Sequence, residues 1–248
     1  MQTDTNNSSL IEKLFKAGAH FGFTKSRRHP TVSAYIFGSK QGTDIIDLEK
    51  TSELLSVAKA FVKESAKSGK TALIVGTKEE IVTVVRDAAL KIEMPYVINR
   101  WIGGMLTNFS EIRKRVHRLN DLLAQGASGE LERKYTKKER VIIGREVEKL
   151  NYNFAGIKEM ERLPGLLIIV DPRHDSIAAR EARELNIPVI GIVSSDTNLN
   201  VVTYPIVAND ALQTSVRTIL AELTEAYAEG KTEYIPPQKR EEARTTRA

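Results

Sequence analysis

The chain has 248 residues, enough for one buried core with an insertion, and its 41% hydrophobic and 28% charged residues are typical of a globular protein. It contains no cysteine, which excludes disulfides, thiolate catalysis and cysteine-ligated zinc. A net charge of +5 permits an anionic partner, while the lack of a long apolar run and of a secretion-type N-terminus predicts a cytoplasmic protein with no membrane contact.

The first predicted elements are short. Ser8 or Ser9 can cap an amphipathic helix, residues 24–30 are predicted to form an exposed basic loop, and strand patterns at 35–38 and 44–48 predict a hairpin. Between residues 23 and 43 there is no acidic residue, and such a local excess of positive charge suits phosphate neutralisation. Its basic residues are Lys25, Arg27, Arg28 and Lys40.

The next segment alternates helices and strands. Thr51 or Ser52 is predicted to open a helix, and residues 71–76 form an apolar run typical of a strand covered on both faces. A helix from about residue 79 to 92 and a strand at 96–98 follow. This order predicts a right-handed crossover between parallel strands.

Residues 99–108 contain the only tryptophan of the chain, Trp101, beside Arg100 and before two glycines. One interpretation is a tight turn at a domain joint with Trp101 as a core anchor. The other is that Arg100 and Trp101 present a cation and a flat ring to an anionic, stackable partner. Thr107 or Asn108 can cap the helix that follows.

Residues 108–150 show no strand pattern. Two helical patterns on either side of a glycine-rich turn at 125–129 predict an antiparallel hairpin with a coiled-coil seam. The predicted seam residues are Ile112, Val116, Leu119, Leu123, Val141, Ile142, Arg145 and Leu150. Its basic residues indicate either solvated helix faces or contacts with nucleic acid.

Alternation resumes after residue 153, with strands predicted at 166–171, 188–193 and 204–206. Asp175 or Ser176 can cap a helix between the first two, and a long helix is predicted from Asn209 to about Tyr227. The expected divisions are an N-terminal unit at 1–50, an α/β domain at 51–107 and 151–228, an inserted hairpin at 108–150 and a flexible tail at 229–248.

A parallel sheet commonly binds small ligands at the carboxyl ends of its strands, here residues 76–78, 171–175 and 194–196. None of these segments has the glycine spacing of a phosphate loop, and no nucleophile lies beside a base. A metal site joining His20 to Asp171 or Asp196 stays open, but no metal or other cofactor is predicted. The rival hypothesis is a nucleotide- or sugar-phosphate-binding enzyme that uses this edge.

The motifs together closely resemble the family of the bacterial small-subunit ribosomal protein number two, from about Leu10 to Tyr227. They are His20-Phe21-Gly22, Tyr35-Ile36-Phe37-Gly38, Ile45-Ile46-Asp47-Leu48-Glu49-Lys50-Thr51, Val75-Gly76-Thr77-Lys78, the 99–108 block, Gly156-Ile157-Lys158-Glu159-Met160 and Ile187-Pro188-Val189.

This resemblance implies a flavodoxin-like parallel sheet with helices on both faces and a coiled-coil arm, and no catalytic activity or small-molecule substrate. It also implies contact with 16S-type rRNA near the head–body junction of the small subunit and with neighbouring proteins, including the large OB-fold ribosomal protein number one that captures messenger RNA. The residues expected to bind RNA are Lys25, Arg27, Arg28, Lys40, Arg100, Trp101, Arg113, Lys114, Arg115, Lys137 and Lys138.

The sequence departs from the family pattern at three places. Phe23 stands where a histidine is usual, and Arg28-His29 replace a tryptophan and an asparagine. The loop after Asn198 lacks the usual proline-aspartate-glycine segment. The first two changes favour backbone contact over base stacking, and the third puts in doubt an ion or partner contact through that loop.

Overall fold

The computed structural model describes residues 2–234, with side chains from residue 9 onward. In chain order the elements are α1 (Gln2–Lys16), β1 (Phe21–Thr24), β2 (Ile36–Lys40), β3 (Thr43–Ile46), α2 (Leu48–Lys67), β4 (Ala72–Val75), α3 (Val82–Lys91), β5 (Tyr96–Val97), α4 (Phe109–Ala127), α5 (Glu130–Lys134), α6 (Lys137–Phe154), β6 (Leu166–Val170), α7 (Ser176–Glu184), β7 (Val189–Val193), β8 (Tyr204–Val207) and α8 (Gln213–Thr232).

The centre of the molecule is a five-stranded parallel sheet with the order β5-β4-β6-β7-β8. Counted along the chain within this sheet, the order is 2-1-3-4-5, which is the flavodoxin-like arrangement. Every residue of β4, β6 and β7 is buried, as expected for apolar runs covered on both faces. The prediction of a parallel α/β sheet flanked by helices is confirmed.

Each face of this sheet supports its own core. Ile74 and Ile168 point to the face covered by α2, α3 and α8, while Leu73 and Leu167 point to the opposite face. That second core contains the buried side of α7 and the start of α4. The alternation follows from the two-residue repeat of a strand, and it places the inserted segment and α7 on the same face.

The N-terminal region forms a separate antiparallel sheet with the order β1-β3-β2. The predicted hairpin is present as β2 and β3, but β1 was not predicted. The basic segment is more ordered than the predicted loop, since a 3-10 helix at Lys25–Arg27 follows β1 directly. The first helix begins at Gln2, so the predicted start at Ser8 or Ser9 is wrong.

The start of α2 also differs from the prediction. Asp47 is its N-cap residue and accepts a hydrogen bond from the Glu49 backbone N–H at 3.1 Å. The predicted cap residue Thr51 lies inside the helix, where its hydroxyl donates to the Val207 carbonyl oxygen at 2.7 Å. Because Asp47 ended a strand pattern, the sequence did not show that it also begins the helix.

The inserted segment contains three helices rather than the predicted two, because α5 lies between α4 and α6. The apolar contact between α4 and α6 uses Leu122 and Ile143, both buried. The predicted seam residues Leu123, Val141 and Ile142 are instead 42%, 52% and 56% exposed. The other predicted apolar seam residues, Ile112, Val116, Leu119 and Leu150, are buried, so the seam differs from the prediction only toward the far end of the inserted segment, and a coiled-coil geometry stays a prediction. We call α4, α5 and α6 the arm.

The last helix is displaced toward the C-terminus relative to its prediction. Asn209 lies before it, where its side-chain oxygen accepts hydrogen bonds from the backbone N–H groups of Ala211 and Leu212. This local turn delays the helix to Gln213, and the helix then continues to Thr232 rather than ending near Tyr227. Most of the predicted flexible tail, residues 235–248, lies outside the described residues.

Candidate nucleic-acid interface

The arm joins the sheet through a turn that is organised by one buried carboxylate. Glu181, on α7, is 6% exposed and accepts hydrogen bonds from Trp101 Nε1 at 3.1 Å and from the Gly104 backbone N–H at 2.8 Å. Its other oxygen accepts from the backbone N–H groups of Leu106 and Thr107, at 2.9 and 3.1 Å, and from the Thr107 hydroxyl. One side chain thereby fixes the whole turn before α4.

Burial raises the pKa of the Glu181 carboxyl, but the hydrogen bonds from Leu106, Gly104, Trp101 and Thr107 together outweigh burial and lower its pKa below the ordinary value. The carboxylate is therefore charged at neutral pH. It compensates the backbone N–H groups of a turn that would otherwise be buried without acceptors.

This arrangement decides between the two interpretations of Trp101. The indole is 6% exposed and its N–H is used by Glu181, so Trp101 is a core anchor and cannot stack on an external ring. The neighbouring Arg100 is exposed. Neither predicted cap of α4 forms, because Asn108 makes no side-chain capping bond and Thr107 donates to Glu181.

The basic residues of the N-terminal sheet divide into two groups. Arg28 pairs with the fully buried Asp44 through both carboxylate oxygens, and it also donates to Ser39. Hydrogen bonds from Arg28, acting against burial, lower the pKa of Asp44. Asp44 lies one residue beyond the acid-free segment, so the sequence pattern missed this pair. Arg28 is consequently occupied in holding the small sheet together.

The other three cations of this region are free. Lys25, Arg27 and Lys40 are exposed, and within residues 9–234 none of them forms an ion pair, although the charge of Lys25 helps to lower the pKa of Asp44. Lys25 follows β1 and Lys40 ends β2, and both strands pair with Thr43 of β3 at their ends. The two lysines therefore lie at the same end of the sheet. Arg27 stands over the Phe23 ring, 5.8 Å from its centroid.

The predicted cations of the arm also divide into residues that are bonded within the protein and residues that are not. Arg113 donates to the Glu161 carbonyl oxygen at 2.8 Å, and Lys114 pairs with Glu111 at 2.6 Å. The remaining three are exposed and have no ion-pair partner among the described residues. They are Arg115, Lys137 and Lys138. The structure thus separates the predicted RNA-binding residues into three surface groups: the small sheet, the turn at Arg100 and the arm.

The carboxyl edge of the parallel sheet holds a closed ion cluster. Lys78 Nζ lies 2.5 Å from Asp171 Oδ2 and 3.4 Å from Asp210 Oδ2. Burial, followed by the charge of Asp171, raises the pKa of Asp210 to about 7. Asp175 accepts hydrogen bonds from the Thr77 backbone N–H and hydroxyl instead of capping α7. The lysine that could meet a ligand phosphate at this edge is therefore already neutralised.

The metal alternative at His20 has no ligand cluster. The His20 ring stacks between Phe15 and Phe21, with centroid distances of 4.5 and 4.1 Å, and its buried Nδ1 has no hydrogen-bond partner. Asp196 is paired with Arg173 instead. Over residues 2–234 no group of three or more histidine, aspartate or glutamate side chains could hold a metal ion.

Three exposed aromatic rings were not predicted from the sequence as functional residues. Phe37 on β2 is 82% exposed, and Phe15 and Phe21 are also exposed. Phe21 and Gly38 both pair with Ile45 of β3, so Phe37 is one residue removed from the row that contains Phe21. Phe15 and Phe21 are both in contact with the His20 ring, whereas Phe37 lies at a register shift of β2, and exposed apolar side chains of this kind are typical of interaction surfaces. No helix within residues 2–234 has the length and apolar character needed to span a membrane.

The fold and the site together define an α/β protein that holds an ion cluster of its own at the ligand edge and carries exposed cations on its appended elements. A family model described as ribosomal protein S2 matches residues 14–230. The small ribosomal subunit protein uS2 of Thermus thermophilus is 40% identical over 227 residues, which cover 92% of this chain and 88% of the relative. The protein of the same name from Coprothermobacter proteolyticus is 39% identical over 222 residues, covering 89% of this chain and 82% of the relative.

The chain therefore belongs to the ribosomal protein S2 family of the small ribosomal subunit, and it is a ribosome-associated component of the translation machinery. This confirms the resemblance stated from the motifs. It also confirms the prediction that the protein is not an enzyme, which removes the rival hypothesis of a nucleotide- or sugar-phosphate-binding enzyme.

Proposed function

We propose that the chain binds 16S-type rRNA near the head–body junction of the small subunit through cations on its small sheet, its arm and the turn between arm and sheet. The observation that carries the proposal is the set of exposed cations without acidic partners on these three elements. The residues expected to contact phosphates are Lys25, Arg27, Lys40, Arg100, Arg115, Lys137 and Lys138.

Four of the predicted RNA-binding residues are bonded to other residues of the protein, so we do not expect them to be primary phosphate contacts. Arg28 holds Asp44 and Trp101 anchors the turn, so both position the binding elements. Arg113 and Lys114 already have partners, and they reach a phosphate only by sharing or exchanging those bonds. Phosphate contacts position a protein without reading sequence, so specificity comes from the shape of the folded RNA.

The proposal includes protein neighbours, among them the large OB-fold ribosomal protein number one. It is supported by the exposed aromatic rings of Phe15, Phe21 and Phe37, because apolar rings are poor phosphate ligands but good anchors for a protein partner. These rings lie on α1 and the small sheet. Recruitment of a neighbour and RNA binding then use different side chains of the same N-terminal region.

The test of RNA binding is the salt dependence of affinity for 16S-type rRNA. The variant Arg27→Gln with Lys40→Gln removes two free cations, and the slope of log affinity against log salt is expected to fall by about 1.4 to 1.8 units. The control is Lys63→Gln with Lys67→Gln, which removes the same charge from α2, where both lysines are paired with acids of α8.

The control should leave the slope unchanged. Equal slopes for the wild-type chain and the Arg27–Lys40 variant would contradict the role of the small sheet. Absence of salt-dependent binding by the wild-type chain would contradict the proposal as a whole.

A further inference from the structure

The arm carries cations on all three of its helices, and these cations differ in whether an acidic side chain pairs with them. On α4, Lys114 is paired with Glu111 and Arg118 with Glu146. On α5, Lys134 is paired with Glu130. These three cations are therefore partly neutralised within the arm, while Arg115 on α4 and Arg133 on α5 are exposed and have no ion-pair partner among the described residues.

The solvent face of α6 is different. Lys138, Ile142, Arg145 and Lys149 follow one another at spacings of four, three and four residues, which places them within an arc of about 60° on a helix. All four are exposed. Among the described residues no acidic side chain pairs with the three cations. We call this set, together with Tyr152, the α6 stripe.

The stripe is nearly opposite the buried side of α6, which contains Ile143, Leu150 and Phe154. It runs for about 21 Å along the helix from Lys138 to Tyr152, at about 1.5 Å per residue. Two of its side chains are apolar or aromatic and more than half exposed: Ile142, between Lys138 and Arg145, at 56%, and Tyr152, beyond Lys149, at 59%. The acids nearest to it, Glu146 and Glu148, lie about a quarter turn away on either side, and Glu146 already binds Arg118.

We propose that the α6 stripe is the main surface by which the arm binds folded RNA. The inference rests on the proposed function and specifies it, because it adds Arg145 and Lys149 to the binding residues and places them with Lys138 on one helix face, beside the separate contacts of Arg115 and Lys137. The cations meet phosphates of the RNA backbone, while Ile142 and Tyr152 cover sugar or base surface beside them. The charge complementarity favours RNA over a protein partner, which would need a matching acidic face.

The experiment compares two double variants of the arm in the full chain. Arg145→Gln with Lys149→Gln removes two free cations of the stripe, and Arg118→Gln with Lys134→Gln removes two paired cations elsewhere on the arm. Both change net charge equally. Binding to 16S-type rRNA is measured over a range of salt concentrations, and circular dichroism establishes that both variants fold.

The stripe variant should lose about 1.4 to 1.8 units of slope and bind at least about tenfold more weakly at low salt, while the paired variant keeps the wild-type slope. The inference is overturned if both variants change the slope equally, or if the stripe variant keeps it. It is also overturned if the stripe variant binds rRNA normally but is lost from assembled subunits, since that result assigns the stripe to a protein. Failure of the wild-type chain to bind rRNA would instead contradict the proposed function.

Discussion

Replacing Glu181 by glutamine is expected to destabilise the protein far more than an ordinary surface change. The amide keeps one acceptor oxygen but places an NH₂ group where the second oxygen was. In its better orientation that group faces Trp101 Nε1 and the Gly104 N–H, so at least two buried donors lose their acceptor. At about 1–3 kcal/mol for each of the two unsatisfied donors, the free energy of unfolding should fall by about 2–6 kcal/mol.

The assay is urea denaturation followed by the fluorescence of Trp101, the only tryptophan of the chain. This probe reports the environment of the turn as well as global unfolding. The matched control is Glu184→Gln, one turn further along α7, where the side chain is exposed. It should change the free energy of unfolding by less than about 0.5 kcal/mol.

The pH dependence supplies a second criterion. Because the folded pKa of Glu181 lies below its ordinary value, the charged form stabilises the fold above the ordinary pKa, and this contribution is lost as pH falls through the folded pKa. The difference between wild type and Glu181→Gln should therefore shrink under acid conditions. If Glu181→Gln and Glu184→Gln are equally mild, or if the difference between wild type and Glu181→Gln is independent of pH, the assignment of Glu181 as the anchor of the arm is refuted.

Two further predictions concern the carboxyl edge and the exposed aromatic rings. Asp210 has a folded pKa of about 7, so the stability contributed by its protonated form is present at acid pH and is lost as pH rises through about 7. Asp210→Asn should therefore reduce the pH dependence of the urea midpoint between pH 5 and 8. The same pH dependence in the variant and the wild type would contradict this. Phe37→Ser should weaken retention of the large OB-fold protein on small subunits by at least about tenfold without changing stability, because the ring is 82% exposed. The control Val57→Ser, at another exposed apolar position, should have no effect on retention.

The parallel sheet could be predicted because its strands are buried on both faces. The segments that became β4, β6 and β7 are continuous apolar runs, and few other structures bury such runs in an alternating α/β chain. The small sheet was harder to predict. β1 has four residues with an irregular register, and the hydrophobic pattern of so short a strand is easily read as a loop.

The site was predicted less well, because its chemistry depends on partners distant in sequence. The sequence near Arg28 contains no acidic residue, but in the fold Arg28 pairs with Asp44 of the small sheet. Glu181 belongs to a charged helical pattern that is typical of a solvated face, although its spacing from the buried Ala178 and Ala182 places it on the apolar side. An acidic residue on the apolar side of an amphipathic helix indicates a buried carboxylate. The sequence could not show which groups donate to it, because they lie 74 to 80 residues away along the chain.

The distribution of charge explains why this fold can serve as a scaffold. A parallel sheet offers a ligand site where its strands end, but here Lys78 is held between Asp171 and Asp210 and the site is closed by the protein's own charges. Exposed cations without ion-pair partners among the described residues also occur on the small sheet and on the arm, both outside the parallel sheet. Since Glu181 fixes the turn between sheet and arm, the sheet determines where the arm's cations lie. The proposed RNA binding at the periphery therefore depends on a buried network at the centre, which is why a neutral substitution at Glu181 is expected to affect stability and RNA binding together.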